Sequence, residues 1–299
     1  MQPQHPLRAA VPYLKEFRGK TFVVKVGGEI LESQTARKSV SEQLALLWHL
    51  GIKLVVVHGG GAAIDDVCTR LQLPTTKVAG RRITSPEVLK VVKMVVAGDV
   101  HVDLTAQLRA AGLPVCGVSG VDTGVLRAQR RPPMQVREDG ATEAKEVDFG
   151  LVGDLVPAEP TLVHHLLAGG FVPLVAPLAG NDNGEVFNTN ADTVAASLAG
   201  TLRAEKLIFM LAVPGLMRDP KQPSSLVPYA TARDVDTLIA EGVVTGGMRP
   251  KLAAALTALE AGVGSVHLVS GMHQDALLGE IFTNEGSGTM LRRGEKGAS

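Results

Sequence analysis

Six short, mostly apolar runs alternate along the chain with longer stretches in which apolar residues recur every three or four positions. The apolar runs predict buried strands, and the amphipathic stretches predict helices. Because strands that are apolar on both faces are typical of a parallel sheet covered by helices on both sides, the pattern predicts an α/β fold. The predicted strands are 21–26, 53–57, 115–118, 172–177, 206–211 and 265–269, and a glycine-rich tail follows the last of them.

One helical stretch precedes the first of these strands, and the others lie between strands. The segment 7–17 precedes the first strand, so it either extends outward from the domain or packs on it. The segment 127–145 is charged, irregular and contains prolines, which indicates a surface hairpin or lid near the middle of the chain. The predicted helices are 7–17, 38–50, 62–71, 86–111, 193–199, 231–241 and 252–261.

Composition narrows the class of protein. Of 299 residues, 45% are hydrophobic and 20% are charged, which is typical of a globular chain with a sizeable core. Lys and Arg together number 30, as do Asp and Glu, so the charge balance favours neither nucleic acid nor an anionic membrane as a partner. No apolar run approaches the ~20 residues of a membrane-spanning helix. The two cysteines, Cys68 and Cys116, argue against a disulfide framework and for a reducing cytoplasm.

Glycine loops follow the first two predicted strands. Gly27-Gly28 ends the first strand, and the sequence His-Gly-Gly-Gly at 58–61 ends the second. Ligands bind outside the carboxyl ends of the strands in such sheets, and glycine there leaves backbone N–H groups free to approach an anion. The two loops therefore predict a phosphate cradle. The first strand is not followed by GxGxxG, and GxxxxGK[ST] is absent, so a dinucleotide-dependent oxidoreductase is disfavoured.

Two lysines lie at positions where a cation needs an explanation. Lys25 is next to the end of an otherwise apolar strand, where it either binds an anion or extends its ammonium group into solvent. Lys251 opens a predicted helix, and a cation there is unfavourable to the helix dipole. It either contacts an anion or is an ordinary surface lysine. We favour a phosphate contact for Lys25, because it lies at the ligand-binding end of the sheet.

The chain from 180 to 210 begins with a turn-rich run and continues into a helix. Asn188, Asn190 and Asp192 alternate, so a locally extended chain would place the three side chains on one face. Two carboxamides beside a carboxylate suit a polar substrate and a residue that holds cations in place. The alternative is a turn in which Asn190 or Asp192 is the N-cap of the helix.

A basic run at 77–84 is predicted to be exposed. Arginine binds a carboxylate through two parallel hydrogen bonds, so one arginine of this run is a candidate for holding an acidic substrate. Arg81 fits a solvated loop better.

Five motifs in order resemble the amino acid kinase family and extend over nearly the whole chain. The resemblance implies a three-layer αβα sandwich with a mainly parallel central sheet. It also implies an N-terminal helix at 1–20, a lobe at 21–178 that binds an acyl amino acid, and a lobe at 179–299 that binds ATP. The motifs are Lys25-Val26-Gly27-Gly28, His58-Gly59-Gly60-Gly61, Gly80-Arg81-Arg82-Ile83-Thr84, Asn188-Thr189-Asn190-Ala191-Asp192 and Gly246-Gly247-Met248-Arg249-Pro250-Lys251.

Within the family the chain resembles the branch that uses ATP to phosphorylate the side-chain carboxylate of N-acetyl-L-glutamate in arginine biosynthesis. By this resemblance Lys25 and Lys251 flank the transferring phosphoryl group, and Asp192 holds both lysines. Mg²⁺ would travel on the ATP, so no metal site built from protein ligands is expected. Backbone N–H groups of Gly27, Gly28 and Gly61 would bind phosphoryl oxygens, and Gly60, Arg82, Asn188 and Asn190 would bind the substrate.

The two ends of the chain look like those of the arginine-inhibited members. The resemblance implies a homo-oligomer, either a dimer or a hexamer built from three dimers, in which the N-terminal helix interlaces the dimers. Tyr13, Glu285 and Gly286 would then contact L-arginine. The alternative is a helix that packs only on its own domain.

Three departures from the family pattern leave alternative functions open. Leu211-Ala212 precedes Val-Pro-Gly where Thr-Asp is usual. This strand end lies on the nucleotide side, so the change affects the affinity for ATP or the preference for its base. His101 replaces an expected Asn, and Met272 replaces an expected Arg near the effector region. The alternatives are therefore another acid kinase of the same fold, such as a carbamate or uridylate kinase, or a catalytically weak regulatory homologue.

Overall fold

A computed structural model of the chain describes residues 6–137, 143–157, 159–219 and 221–294. The first residues of the predicted arm (1–5), part of the predicted hairpin (138–142), two loop positions (158 and 220) and the end of the tail (295–299) lie outside the described residues.

Sixteen strands and eleven α-helices make up this part of the chain. The strands are β1 Thr21–Val26, β2 Lys53–His58, β3 Lys77–Val78, β4 Arg81–Arg82, β5 Val115–Ser119, β6 Arg127–Arg130, β7 Met134–Val136, β8 Lys145–Val147, β9 Gly153–Val156, β10 Val172–Ala176, β11 Leu178–Gly180, β12 Val186–Asn188, β13 Lys206–Leu211, β14 Tyr229–Thr231, β15 Ser265–Ser270 and β16 Thr289–Arg292. The helices are α1 Pro6–Phe17, α2 Gly28–Glu32, α3 Gln34–His49, α4 Gly61–Arg70, α5 Pro86–Met94, α6 Val100–Ala110, α7 Thr161–Ala168, α8 Ala191–Thr201, α9 Ala232–Ala240, α10 Met248–Glu260 and α11 Ala276–Phe282.

The centre of the fold is an eight-stranded sheet in the order β14-β16-β15-β13-β1-β2-β10-β5. Every neighbouring pair in it is parallel except β15–β16. Two separate apolar clusters cover its faces. Val23 belongs to the cluster that contains residues of α8 and α10, whereas Val24 belongs to the cluster that contains residues of α3 and α6. The predicted three-layer αβα sandwich with a mainly parallel sheet is confirmed.

Several local predictions need correction. The tail contains a strand, β16, so 265–269 is not the last strand; β16 closes the sheet edge by pairing antiparallel to β15 and parallel to β14. The segment 127–130 is not irregular, because β6 pairs with β9 in a second sheet of order β12-β11-β6-β9. The expected hairpin is present as the antiparallel pair β7–β8. The helix expected at 86–111 is interrupted by a π-helical turn at Val95–Asp99.

No helix among the residues placed here has the length and apolar character that crossing a membrane requires. Both cysteines are free thiols, with Cys68 buried and Cys116 partly buried.

Candidate active site

The two glycine loops lie side by side at the carboxyl ends of β1 and β2. The register of these strands pairs Val26 with His58, so Gly27 and Gly59 leave the sheet at the same level. A Cβ atom at Gly28 would be 3.7 Å from the amide nitrogen of Gly61. Because Gly61 opens α4, its N–H has no partner within the helix. The loops therefore present backbone amides to a common space, as a phosphate cradle requires.

A buried carboxylate holds two ammonium groups beside this cradle. Lys25 Nζ lies 2.9 Å from Asp192 Oδ1, and Lys251 Nζ lies 3.0 Å from Asp192 Oδ2. The side chains of Lys25 and Asp192 are each 7% exposed, and that of Lys251 is 24% exposed. Burial alone would raise the pKa of Asp192, but the charges of the two lysines outweigh burial and lower the pKa. The carboxylate thus stays ionised between two cations.

Strand geometry explains how Lys25 reaches this carboxylate. Successive side chains of a strand point to opposite faces, so Lys25 shares the face of Val23, which α8 covers. Lys25 is 6% exposed, so the alternative in which its ammonium group reaches solvent is wrong. A Cβ atom on Gly59 would be 3.9 Å from Lys25 Nζ, which places the ammonium group next to the second glycine loop.

The segment 188–192 is extended at its start and contains a helix N-cap, so it has features of both alternatives that the sequence left open. Asn190 is the N-cap of α8: its side-chain oxygen accepts hydrogen bonds from the backbone N–H groups of Asp192 and Thr193, at 2.7 and 3.3 Å. The extended alternation therefore ends at Asn190, and Asp192 lies in the first turn of the helix. A carboxylate in the first turn is favoured by the helix dipole. Asn188 ends β12 and donates from Nδ2 to Thr84 Oγ1 at 3.0 Å.

The basic run at 77–84 is less exposed than its sequence suggests. Arg82 is 7% exposed: Nη1 donates to Asp65, and Nη2 donates to the carbonyl oxygen of Gly61 at 2.9 Å. Thr84 is fully buried and Arg81 is half-buried, so the expected exposure is wrong for these residues. Lys77 is exposed and also pairs with Asp65. The contact with Gly61 ties Arg82 directly to the glycine cradle.

A cavity of about 550 Å³ gathers the three side chains expected to bind substrate. Arg82, Asn188 and Asn190 all line it, together with residues of β9, α8 and α10. Its volume lies within the roughly 300–1,000 Å³ of typical small-molecule sites. The Lys25–Asp192–Lys251 cluster is not part of this lining. The two groups are linked through α8, because Asn190 caps the helix that carries Asp192 in its first turn.

The match to a family model decides the class of this site. The model of the amino acid kinase family matches residues 20–270. The chain belongs to the amino acid kinase family. The acetylglutamate kinase of Myxococcus xanthus is 54% identical over 97% of this chain and 94% of its own. That of Heliobacterium modesticaldum is 40% identical over 94% of this chain and 95% of its own.

Solved structures share the fold of this chain. The N-acetylglutamate synthase of Neisseria gonorrhoeae, complexed with coenzyme A and N-acetyl-glutamate, superposes with a TM-score of 0.81 at 27% identity. That match covers 97% of this chain but only 63% of the synthase chain. The carbamate kinase of Giardia lamblia bound to AMP-PNP shares the fold, with a TM-score of 0.64, 18% identity and coverage of 92% and 99% of the two chains.

Sequence reasoning missed Asp65, which holds both Arg82 and Lys77. Burial would raise the pKa of this carboxyl group, but its hydrogen bonds to Arg82 and Lys77 outweigh burial and lower the pKa. Asp65 lies one turn into the helix that follows the second glycine loop, and this position could have marked it as a residue near the site. Among the described residues, no three His, Cys, Asp or Glu side chains converge as metal ligands would.

A second cavity, of about 530 Å³, is lined by all three residues expected to contact an effector: Tyr13, Glu285 and Gly286. The Tyr13 hydroxyl donates to Asn284 Oδ1, and α1 packs on α11 of the same chain. The N-terminal helix therefore packs on its own domain in this chain, which does not decide between the two alternatives. Its participation in an oligomer stays a prediction.

Buried charges form the floor of this second cavity. His267 Nδ1 lies 2.7 Å from Glu280 Oε1, and His267 Nε2 lies 3.1 Å from Lys206 Nζ. Glu280 Oε2 accepts from the backbone N–H groups of Ser287 and Gly288, each at 2.8 Å. Burial would raise the pKa of Glu280, but the hydrogen bond from His267, together with the two backbone hydrogen bonds, outweighs burial and lowers the pKa. The cation of Lys206 and the anion of Glu280 therefore lie on opposite sides of the His267 ring.

Proposed function

We propose that this protein transfers the γ-phosphoryl group of ATP to the side-chain carboxylate of N-acetyl-L-glutamate in arginine biosynthesis, giving N-acetyl-L-glutamyl 5-phosphate and ADP. The bond from the γ-phosphorus to the bridging oxygen breaks, and a bond from phosphorus to the carboxylate oxygen forms. The observation that carries the proposal is the Lys25–Asp192–Lys251 cluster beside two glycine loops. Acetylglutamate kinases similar over nearly the whole chain support the choice of substrate.

The reaction requires positioning and charge neutralisation rather than a strong base. A carboxylate is already ionised at neutral pH, and the charge to be stabilised lies on the equatorial oxygens of the transferring group. Lys25 and Lys251 would flank that group, and Asp192 would keep both ammonium groups in place. Amides of Gly28 and Gly61 would donate to the phosphoryl oxygens. The expectation for Gly27 is wrong, because its N–H already donates to the carbonyl oxygen of Met210 at 3.1 Å. Such preorganised donors need no rearrangement when charge develops.

The acid would bind in the 550 Å³ cavity. Arg82 is held by Asp65 and the Gly61 carbonyl, which fixes its guanidinium near the cradle while leaving further N–H groups for a carboxylate. Asn188 and Asn190 would bind the polar groups of the acyl amino acid. Gly60, also expected to bind substrate, does not line this cavity. The lobes at 21–178 and 179–299 would then meet at this cavity, because Asn188 and Asn190 belong to the second lobe.

The nucleotide would bring its own Mg²⁺. The one carboxylate in the cluster, Asp192, is already engaged by two lysines, so it is a poor ligand for an additional cation. The metal would be held mainly by phosphate oxygens and would neutralise part of their charge. Leu211-Ala212, at the end of β13, would lie towards the nucleotide.

The test is ATP consumption with N-acetylglutamate, glutamate, aspartate, carbamate and UMP as separate acceptors, with hydroxylamine present to trap an acyl phosphate. We expect hydroxamate with N-acetylglutamate alone. Turnover with carbamate or UMP instead would identify another kinase of the same fold. A folded protein that consumes ATP with none of the acceptors would favour a catalytically weak regulatory homologue.

We further propose that L-arginine binds the second cavity and regulates the enzyme. Its carboxylate suits Lys206, and its guanidinium suits Glu280 or Glu285. A structure of the Neisseria gonorrhoeae synthase complexed with coenzyme A and L-arginine is similar to this chain, with a TM-score of 0.79 and 26% identity over 65% of the synthase chain. A homo-oligomer, dimeric or hexameric, and a cytoplasmic location complete the proposal; light scattering with and without arginine tests the assembly.

A further inference from the structure

Two buried histidines lie directly behind the second glycine loop, where the proposed phosphoryl transfer assigns them no role. His58 is fully buried and His101 is 9% exposed. His58 Nδ1 lies 2.8 Å from the carbonyl oxygen of Gly59, and His58 Nε2 lies 2.9 Å from His101 Nδ1. We refer to these two residues as the histidine pair.

The contacts determine which nitrogen carries the proton. A carbonyl oxygen only accepts, so Nδ1 of His58 must donate to Gly59. Burial, the charge of Lys25 and the neighbouring His101 hold the pKa of His58 down to about 4, so its ring is neutral at pH 7 and Nε2 is an acceptor. His101 must then donate from Nδ1 to His58 Nε2. His101 thereby selects the one tautomer of His58 that can hold the Gly59 carbonyl.

That hydrogen bond fixes the orientation of a peptide group in the phosphate cradle. In a trans peptide, C=O and the following N–H point in opposite directions from one rigid plane. With the Gly59 carbonyl held against His58, the Gly60 N–H points away from the histidine. A Cβ atom on Gly28 would be 4.0 Å from the Gly60 nitrogen, so this N–H lies on the side of the opposite loop.

The neighbouring backbone groups leave the Gly60 amide as a donor. The Gly59 N–H donates to the carbonyl oxygen of Val26 at 3.1 Å, and the Ile64 N–H donates to the carbonyl oxygen of Gly60 at 3.0 Å. Within the described part of the chain, no backbone acceptor is found for Gly60 N–H. Glycine has no side chain to restrict rotation of the Gly59–Gly60 peptide, so its orientation needs an outside constraint.

We propose that His58, held in one tautomer by His101, positions the Gly59–Gly60 peptide so that its N–H donates to the phosphoryl group. The inference rests on the proposed function, and it makes His58 and His101 positioning residues. Gly117 supports the second half of the pair. A Cβ atom there would be 2.4 Å from His101 Nε2, so the His101 ring occupies space that any other residue at 117 would take.

Replacing His58 by Leu and by Asn separates positioning from packing. Leu removes the donor, whereas the Asn side-chain nitrogen stands close to where Nδ1 stands and can still donate to Gly59. Removing an entire oxyanion donor costs about 10²–10³ in kcat. We expect His58→Leu to lower kcat by about tenfold or more with little change in the KM for N-acetylglutamate, since the amide acts mainly in the transition state. We expect His58→Asn to recover most of the rate.

His49→Leu is the matched control, because His49 Nδ1 also donates to a backbone carbonyl, that of Ala45, but within α3. It should leave kcat unchanged. His101→Asn should retain the donor to His58 and stay near the wild-type rate, whereas His101→Leu and Gly117→Ala should both be slow. A merely structural role would make the Leu and Asn variants of His58 equally slow, and that result would overturn the proposal.

A crystal structure of His58→Leu decides the inference even if the proposed function fails. We expect the Gly59–Gly60 peptide to be rotated or split between two orientations in this variant. An unchanged peptide in a folded His58→Leu protein, or a wild-type kcat for that variant, would overturn the proposal. Absence of any hydroxamate from the wild-type enzyme would count against the proposed reaction instead, and the peptide orientation would still test His58.

Discussion

Lys251 and Asp192 are 59 positions apart in the sequence, yet Lys251 Nζ donates to Asp192 Oδ2 at 3.0 Å. The contact exists because α8 and α10 run side by side and both begin at the carboxyl end of the sheet. A Cβ atom at Gly200 would lie 2.7 Å from that of Ala261, so the far ends of these helices are also in close contact. The packing of two helices therefore sets the spacing of two charges at the proposed reaction centre.

Replacing Lys251 by Ala should lower kcat by about 10²-fold or more and leave the fold intact. A cation aimed at developing phosphoryl charge acts mainly in the transition state. Stability should change little, because Lys251 is partly exposed and Asp192 keeps its ion pair with Lys25. Hydroxamate formation and thermal unfolding measure the two effects. Lys38→Ala, which removes an exposed lysine on α3 that does not line the 550 Å³ cavity, is the control. A Lys251→Ala enzyme with wild-type kcat would remove this residue from the mechanism.

The sequence predicted the residues of the cluster better than their contacts. Lys25 could be placed at the active end of a strand from the apolar run 21–26 and the glycine pair that follows it. Its pairing with Asp192 was expected only from the family resemblance, because the contact depends on how α8 packs over β1, which the local sequence pattern does not give. Strand β16 was missed because a glycine-rich tail hides a short apolar strand. The burial of Arg82 was missed because it depends on Asp65, which lies on another element.

Replacing Arg82 by Ala should raise the KM for N-acetylglutamate by about tenfold or more, since a charge-assisted hydrogen bond contributes roughly 1.5–3 kcal/mol. Arg81→Ala is the matched control: Arg81 is the neighbouring residue, it lines the same cavity, and it is half-buried. The KM for ATP should change less in the Arg82 variant. Equal effects of the two substitutions on the KM for N-acetylglutamate would contradict the assignment of Arg82. Because Asp65 loses a partner, thermal unfolding should be recorded alongside the kinetics.

Acidification from pH 7 to pH 5 should destabilise the protein through its buried histidines. Burial lowers the pKa of His58 to about 4 and also lowers the pKa values of His101 and His267. Unfolded histidines titrate near pH 6.5. The stabilising contribution is therefore complete above pH 6.5 and is lost as pH falls towards the folded pKa values, because the unfolded chain binds more protons. For His58 the whole effect is about 3 kcal/mol.

Urea unfolding at pH 7 and pH 5 measures this effect. His58→Asn should show a smaller loss of unfolding free energy between the two pH values than the wild type. His273→Asn, which replaces an exposed histidine, should show the same loss as the wild type. An identical pH dependence in all three proteins would contradict the neutral, buried state of His58. Asp192 and Glu280 do not confuse the comparison, because their lowered pKa values place their titration below this window.

Replacing Glu285 by Gln should weaken inhibition by L-arginine without changing the uninhibited kcat. Glu285 is an exposed residue lining the second cavity, so the substitution removes a carboxylate partner for a guanidinium while sparing the buried chain of Lys206, His267 and Glu280. We expect the concentration for half-inhibition to rise by about tenfold, the factor that corresponds to 1.4 kcal/mol. Glu260→Gln is the control, because Glu260 is an exposed carboxylate on α10. Arginine should inhibit this variant at the same concentration as the wild type. If arginine inhibits the wild type and both variants equally, the effector does not bind through Glu285.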